Sequence, residues 1–246
     1  MCVFTGRISL TGCGKKEEYE TISPDNIIVP QPTPSPTPSP IPMSEQSSIP
    51  ASVRQYTYEP EFIKVDDYRV ETRTELIEFV KYSENFYSEL YDSDGDGEVD
   101  TIGYGHDIIQ NQDIAKYPQG TISEEEAEAL LITDLNELFP KEWLEAAEKN
   151  GHQFTVNEID ALTSLNFNTS SLTVDISKVF LETISSEDSM SADEYSKAIY
   201  EQFMTYAGSG EMSGLAKRRI AEAWIFLRNV YQTGFYDKEL EDLCIP

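Results

Sequence analysis

From about Thr72 onward, apolar residues recur at helical spacing behind polar start signals. Thr72-x-x-Glu75 has the capping-box pattern, and Leu76, Ile77 and Val80 follow on one face, so a helix is predicted to run to Glu84. Ser123-x-x-Glu126 opens a second helix through Ala127, Leu130, Leu131, Leu135 and Leu138. Pro140 must stop it, because proline has no amide hydrogen and its ring clashes with the preceding turn. A short helix is expected around Trp143, and Thr155-x-x-Glu158 begins another with Ile159, Leu162 and Leu165 on one face. Two more are predicted: Ser191 to Tyr206 through Tyr195, Ile199 and Phe203, then Gly214 to Tyr231 with Leu215, Trp224, Leu227 and Val230, stopping at Gly234. Residues 86–106 break this texture, being rich in Tyr and Gly with short alternating runs that read as a small β-hairpin. The fold class that follows is α+β, mostly α, with a small N-terminal hairpin lobe and a helical lobe.

The first quarter of the chain is different. Residues 30–42, PQPTPSPTPSPIP, alternate proline with polar residues and have nothing to bury, so an extended spacer of roughly 3 Å per residue is predicted. Leu10-Thr11-Gly12-Cys13 resembles a bacterial lipobox, in which the cysteine is lipidated. Only MCVFTGRISLTG precedes Cys13, interrupted by Arg7, whereas a signal needs an apolar stretch of about 7–15 residues. Residues 1–13 are therefore read as a truncated lipoprotein signal and 14–60 as a disordered linker. A globular domain is expected over 61–234 and an acidic tail over 235–246.

Charge narrows the partners. The net charge is -27, and it is concentrated: residues 1–60 hold six acids against four bases, residues 61–246 hold 39 against 14. Nucleic acid is excluded as an expected partner, since phosphate binding needs the opposite sign. Solubility, cation binding, or both are favoured. No apolar run reaches the 18 or so residues of a membrane-spanning helix. The three cysteines, Cys2, Cys13 and Cys244, sit at the extremes without metal-ligand spacing or a disulfide framework.

The stretch from Lys81 to His106, KYSENFYSELYDSDGDGEVDTIGYGH, carries the candidate chemistry. Glu84 ends a helix, a dense acidic turn follows, and the run closes on Thr101 to His106. Carboxylates from two sides of a short hairpin are what hydrolysis of a glycosidic bond requires, one protonated as acid and one ionised as base or nucleophile. Phe86, Tyr87 and Tyr91 lie close to Glu84 in sequence, and shelter by such rings keeps a carboxyl protonated near neutral pH. The turn has a second reading. Asp92, Asp94, Asp96 and Asp100, with Gly97 and Val99, match the first nine positions of an EF-hand-type loop, so structural Ca²⁺ is a candidate ligand. Position 12, normally a bidentate Glu, is Gly103, and an acidic glycine-rich turn with no metal stays open beside it. No cofactor is otherwise required.

These residues resemble the phage-type lysozymes, or endolysins, of glycoside hydrolase family 24. The likeness lies in Glu84, the hairpin led by Tyr91 and the Thr101-Ile102-Gly103-Tyr104-Gly105-His106 run. It continues through Ser123 to Leu135, Phe154 to Asn168, and Gly214-Leu215-Ala216-Lys217-Arg218-Arg219 with Glu222, covering about residues 72–232 in order. The resemblance implies cleavage of the bond between N-acetylmuramic acid and N-acetylglucosamine in bacterial peptidoglycan. It assigns Glu84 as general acid and Thr101 as a water-orienting hydroxyl, and implies inversion. Tyr91, Gly103, Tyr104 and His106 become candidate substrate-binding residues, with His106 also read as a structural pairing residue. The family usually places an aspartate two positions after the tyrosine, where this chain has Ser93. Asp92 or Asp94 is expected to take that role, with Asp92 preferred for its closeness to the helix. One of Arg218 and Arg219 is expected to face Glu84 and the other to face solvent. Ser170, where the family often has glycine, implies a different helix ending.

The leading expectation is a monomeric muramidase outside a bacterial membrane, tethered through lipidated Cys13 or secreted. Its rivals are a catalytically inactive module that binds peptidoglycan or calcium, and a phage lysis protein.

Overall fold

The helix from Val156 to Thr169 explains the architecture, because every residue from Val156 to Leu165 is buried. A helix covered on all sides belongs at the centre of a helical domain, and each fully buried Ile or Leu contributes about 1.5–3 kcal/mol. This computed structural model describes residues 58–93, 95, 97–109, 112, 114–170, 172, 178–207 and 214–232. The lipobox, the three cysteines, the proline-rich segment, Asp94, Asp96 and the acidic tail lie outside the described residues.

In chain order the elements are α1 (Thr74–Glu84), β1 (Tyr87–Tyr91), β2 (Thr101–Gly103), β3 (His106–Asp107), α2 (Glu124–Glu137), α3 (Lys141–Lys149), α4 (Val156–Thr169), α5 (Lys178–Ser185), α6 (Ala192–Met204) and α7 (Gly214–Arg228). The strands form one antiparallel sheet in the order β1-β2-β3. Mostly helical with one small sheet, the domain has the expected fold class. Helix α4 packs on α7, α1 and α2, and α6 also packs on α7. Edge-on aromatic contacts join the remaining helices: Trp143 to Phe180 at 5.7 Å between ring centres, Phe180 to Phe203 at 5.1 Å and Phe203 to Phe226 at 5.9 Å. Such pairs add about 0.5–1.5 kcal/mol each beyond the area they bury. Among the described residues no helix is long and apolar enough to cross a membrane.

Local signals set several boundaries as expected. Ser123 accepts from the Glu126 amide at 3.2 Å while Glu126 accepts from the Ser123 amide at 3.0 Å, the reciprocal capping box that starts α2. Ser191 and Glu194 do the same for α6, at 3.3 and 3.0 Å. The Thr155 amide donates to Glu158 at 2.7 Å ahead of α4.

Other expectations need correction. Thr72 does not cap α1. It sits in a short 3-10 turn, its hydroxyl donates to the Arg69 carbonyl at 2.9 Å, and the cap position falls to Arg73. Helix α7 stops at Arg228, before Tyr231, because Asn229 turns left-handed at φ 56°. Its buried face also differs from the one predicted: Arg218, Arg219, Glu222, Ile225 and Phe226 point inward, while Leu215 is exposed. Ionic groups that neutralise one another occupy positions that apolar spacing alone cannot reveal. Ser170 adopts φ 47° at the end of α4, the left-handed cap glycine usually provides, so this helix ends in the glycine manner with serine in place. Helix α5 was not anticipated, its Phe180, Leu181 and Ile184 being too short a run to announce a helix.

Candidate active site

Glu84 is the last residue of α1, and Asn85, at φ 60°, swings the chain away into β1. The carboxylate therefore stands at the junction of helix and sheet. Its side chain is 21% exposed, so it neither sinks into the core nor points into bulk water. Arg218 of α7 donates through Nη1 to Glu84 Oε1. Arg218 is itself buried and donates through Nε to Glu222 Oε1 at 3.1 Å. Ser164 of α4 donates to the same Glu222 oxygen at 2.7 Å. Burial works against the Arg218 charge most strongly, but Glu222 and Glu84 outweigh it and hold the guanidinium above its usual value.

Arg219 departs from expectation. It is fully buried, not solvent-facing, with Nη2 donating to Asn168 Oδ1 at 3.0 Å and to Glu222 Oε1 at 3.1 Å. Its Nε lies 2.8 Å from Glu222 Oε2, an ion pair too bent to be a hydrogen bond. Burial, reinforced by the neighbouring Arg218 charge, pulls Arg219 below the usual arginine value although Glu222 resists. One buried glutamate thus serves two arginines, and the arginine nearer α1 is shared with Glu84.

The hairpin closes the other side. Gly105 has φ +96°, and Glu84 Oε2 lies 3.8 Å from where a Cβ would stand, so backbone and carboxylate meet at a residue whose conformation favours glycine. Tyr91 and Thr101 are direct partners across β1 and β2. Thr101 is 3% exposed, and its hydroxyl donates to Asp100 Oδ1 at 2.8 Å. The Ser93 hydroxyl lies 3.5 Å from the same oxygen. Asp92 accepts the Gly95 amide on Oδ1 at 2.6 Å and the Gly97 amide on Oδ2 at 2.9 Å, which folds the turn around its carboxylate. Burial first, then the charges of Glu84, Tyr87 and Asp100, push the Tyr91 phenol up to about 12.

Of the residues expected at substrate, Gly103, Tyr104 and His106 are buried and hold the hairpin to the helices instead. At Gly103 a Cβ would come within 3.1 Å of Ala127 Cβ, so its close approach is to α2. Tyr104 is 4% exposed, donates to Glu124 at 3.0 Å and stacks at a tilt on Phe86. His106 Nδ1 meets the two oxygens of Asp134 at 2.9 and 2.8 Å, the pairing role anticipated for it. Residues missed by sequence reasoning are Ser164 and Asp134, and Tyr87 was read only as one of the rings sheltering Glu84, not as a partner of Tyr91. Tyr87 is 45% exposed, with its ring centre 4.3 Å from that of Tyr91. The four-residue spacing on one strand was the available signal, since such residues share a face. Of the four aspartates proposed for calcium, Asp94 and Asp96 lie outside the described residues. Among the described residues no group of three or more His, Cys, Asp or Glu is placed to hold a metal.

The helix-end glutamate, the small antiparallel hairpin and the mostly helical domain are the features on which the sequence resembles the phage-type lysozymes. The phage lysozyme family model matches residues 81–222, from just before Glu84 to the buried Glu222. That is more than half of the chain, and the chain belongs to this family, a glycoside-hydrolase type of enzyme. No curated protein matches the sequence.

Proposed function

We propose that the protein is an N-acetylmuramidase that hydrolyses the bond between N-acetylmuramic acid and N-acetylglucosamine in bacterial peptidoglycan. Glu84 delivers a proton to the leaving oxygen, while an aspartate of the hairpin and Thr101 direct water to the opposite face of the sugar, with inversion. The observation that carries this reading is the placement of Glu84: partly sheltered, fixed by a buried arginine, and facing Gly105 of the hairpin. The site of action is outside the cell membrane, on the wall, with Cys13 as lipid attachment and residues 30–42 as spacer.

The test is loss of turbidity of purified peptidoglycan, with released fragments read by mass spectrometry for muramic acid at the new reducing end. Glu84→Gln is expected to lower kcat at least about a hundredfold, the lower range for general acid catalysis. A variant as active as wild type refutes the assignment. One observation favours a non-catalytic module that binds the wall: the Asp92 carboxylate is engaged by two backbone amides of its own turn. Sedimentation with peptidoglycan without any fragment release supports that second reading.

A further inference from the structure

The hairpin brings forward Asp100, a carboxylate that the spacing of the turn offers only as one of four candidate calcium ligands. Asp100 immediately precedes β2, its amide donates to the Tyr91 carbonyl at 3.2 Å, and the Ile108 amide donates to its carbonyl at 2.8 Å. Its backbone is thus held from both sides, by the neighbouring strand and by the residue that follows β3. Its side chain is oriented as well: Thr101 and Ser93 both direct hydroxyls at Oδ1, at 2.8 and 3.5 Å. Among the described residues Oδ2 receives no hydrogen bond and is left to accept one from water. Asp100 is half-buried, so it is accessible yet not free to wander.

Its position relative to Glu84 follows from Tyr91. Tyr91 pairs with Thr101 across β1 and β2, its carbonyl accepts the Asp100 amide at 3.2 Å, and its strand β1 begins shortly after Glu84 ends α1. Asp100 is thus bonded to the strand that leads on from Glu84, while Glu84 abuts Gly105, two residues beyond the end of β2. Asp92 is differently employed. Each of its oxygens already accepts a backbone amide, and drawing either toward a water would undo the turn.

We propose that Asp100, held by Thr101 and Ser93, is the carboxylate that activates water in this enzyme. This rests on the muramidase reading above. In the step, the bond from the anomeric carbon to the leaving oxygen breaks and its electron pair takes the proton of Glu84. The water oxygen forms a new bond to the anomeric carbon and gives one proton to Asp100. Glu84 ends ionised and Asp100 protonated, and exchange with solvent restores both, so nothing is oxidised or reduced. Thr101 is a positioning residue here, since its hydroxyl is donated to Asp100.

The experiment compares wild type, Glu84→Gln, Asp100→Asn, Asp100→Ala and Asp92→Asn on purified peptidoglycan, with folding checked by thermal unfolding. Asp100→Asn is expected to lower kcat about a hundredfold or more with little change in KM, the size of a lost general base. Asp92→Asn is expected to lose thermal stability, with kcat down less than about tenfold, a difference of about 1.4 kcal/mol in barrier. Sodium azide is expected to restore turnover to Asp100→Ala and to appear as a glycosyl azide product, because a small anion fills the space left by the carboxylate. That rescue is independent of any loss of stability in the variant. The proposal is overturned if Asp100→Asn stays within about tenfold of wild type while Glu84→Gln is dead, or if azide restores nothing to Asp100→Ala. It is also overturned if calcium chloride alone restores Asp100→Asn, which makes the residue an ion ligand. If Glu84→Gln is itself fully active, the muramidase reading fails, and the result is distinguishable from all of these.

Discussion

Replacing Asp160 by alanine tests whether the scaffold that positions the two halves of the site is held by one buried carboxylate. Asp160 lies in α4 with no exposure. Tyr68 donates to its Oδ1 at 2.5 Å, Arg73 reaches Oδ2 through Nη2 at 3.2 Å and Nε at 3.3 Å, and Tyr231 donates to Oδ2 as well. These donors come from the segment that leads into α1 and from the residues just after α7. The carboxylate therefore joins the helix that ends in Glu84, the central helix, and the exit of the helix that carries Arg218. Removing one partner of a buried, hydrogen-bonded ion pair costs about 3–5 kcal/mol. Arg73 can turn partly to water, its side chain being 20% exposed, which lowers the figure. Tyr68, 4% exposed, cannot, and a stranded buried donor costs about 1–3 kcal/mol. The loss expected for Asp160→Ala is therefore about 3–5 kcal/mol. For a domain of this size that corresponds to a fall in Tm of roughly 6–20 °C. Thermal and urea unfolding measure it, and a double-mutant cycle with Tyr231→Phe should return a coupling of about 0.5–3 kcal/mol. An Asp160→Ala protein within about 1 kcal/mol of wild type, with no coupling to Tyr231, would refute the idea that this carboxylate clamps the scaffold.

Two further outcomes follow from the hairpin. The Tyr91 phenol is held above the ordinary tyrosine value of about 10 and reaches about 12. Its contribution to stability is thus whole below the ordinary value and lost as pH rises through the folded one. Ultraviolet titration of phenolate should show one late group that Tyr91→Phe removes, and the variant's unfolding should be less pH-dependent between those values. Gly103→Ala places a Cβ 3.1 Å from Ala127 at φ +68°, whereas Gly97→Ala meets nothing within 4 Å at φ +97°. Left-handed strain of about 1–2 kcal/mol is common to both. Gly103→Ala should therefore lose clearly more stability by chemical denaturation, and equal losses would mean that α2 gives way freely.

Much of the fold was legible because it is written in local chemistry. The Ser123–Glu126 box is a pattern four residues long that acts on its own backbone, so the start of α2 could be read directly, while the start of α6 at Ser191 was read from apolar spacing and the structure adds its box with Glu194. Pro140, between α2 and α3, cannot continue α2 because a helix interior needs its missing amide hydrogen, and it stands instead at the cap of α3. Thr72 shows the limit of such signals, since its box lost to a competing arrangement in which Arg73 reaches Asp160, 87 residues away. The place of Glu84 at a helix end beside the hairpin was legible from the run that follows it, and the pairing of His106 was legible as structure.

The sequence alone determined the α+β class, the starts of α2, α4 and α6, the hairpin and the helix-end position of Glu84, because spacing and caps depend on neighbours within a turn or two. Tertiary structure decided which face of α7 is buried, that Arg219 is enclosed beside Arg218, that Gly103 and Tyr104 serve packing, and which aspartate of the turn receives the Thr101 and Ser93 hydroxyls. These depend on where a side chain's charge finds its partner across α4, α7 and the hairpin. An arginine is hidden only when a glutamate waits inside, and a carboxylate is oriented only when the facing donors arrive, conditions that no local pattern encodes.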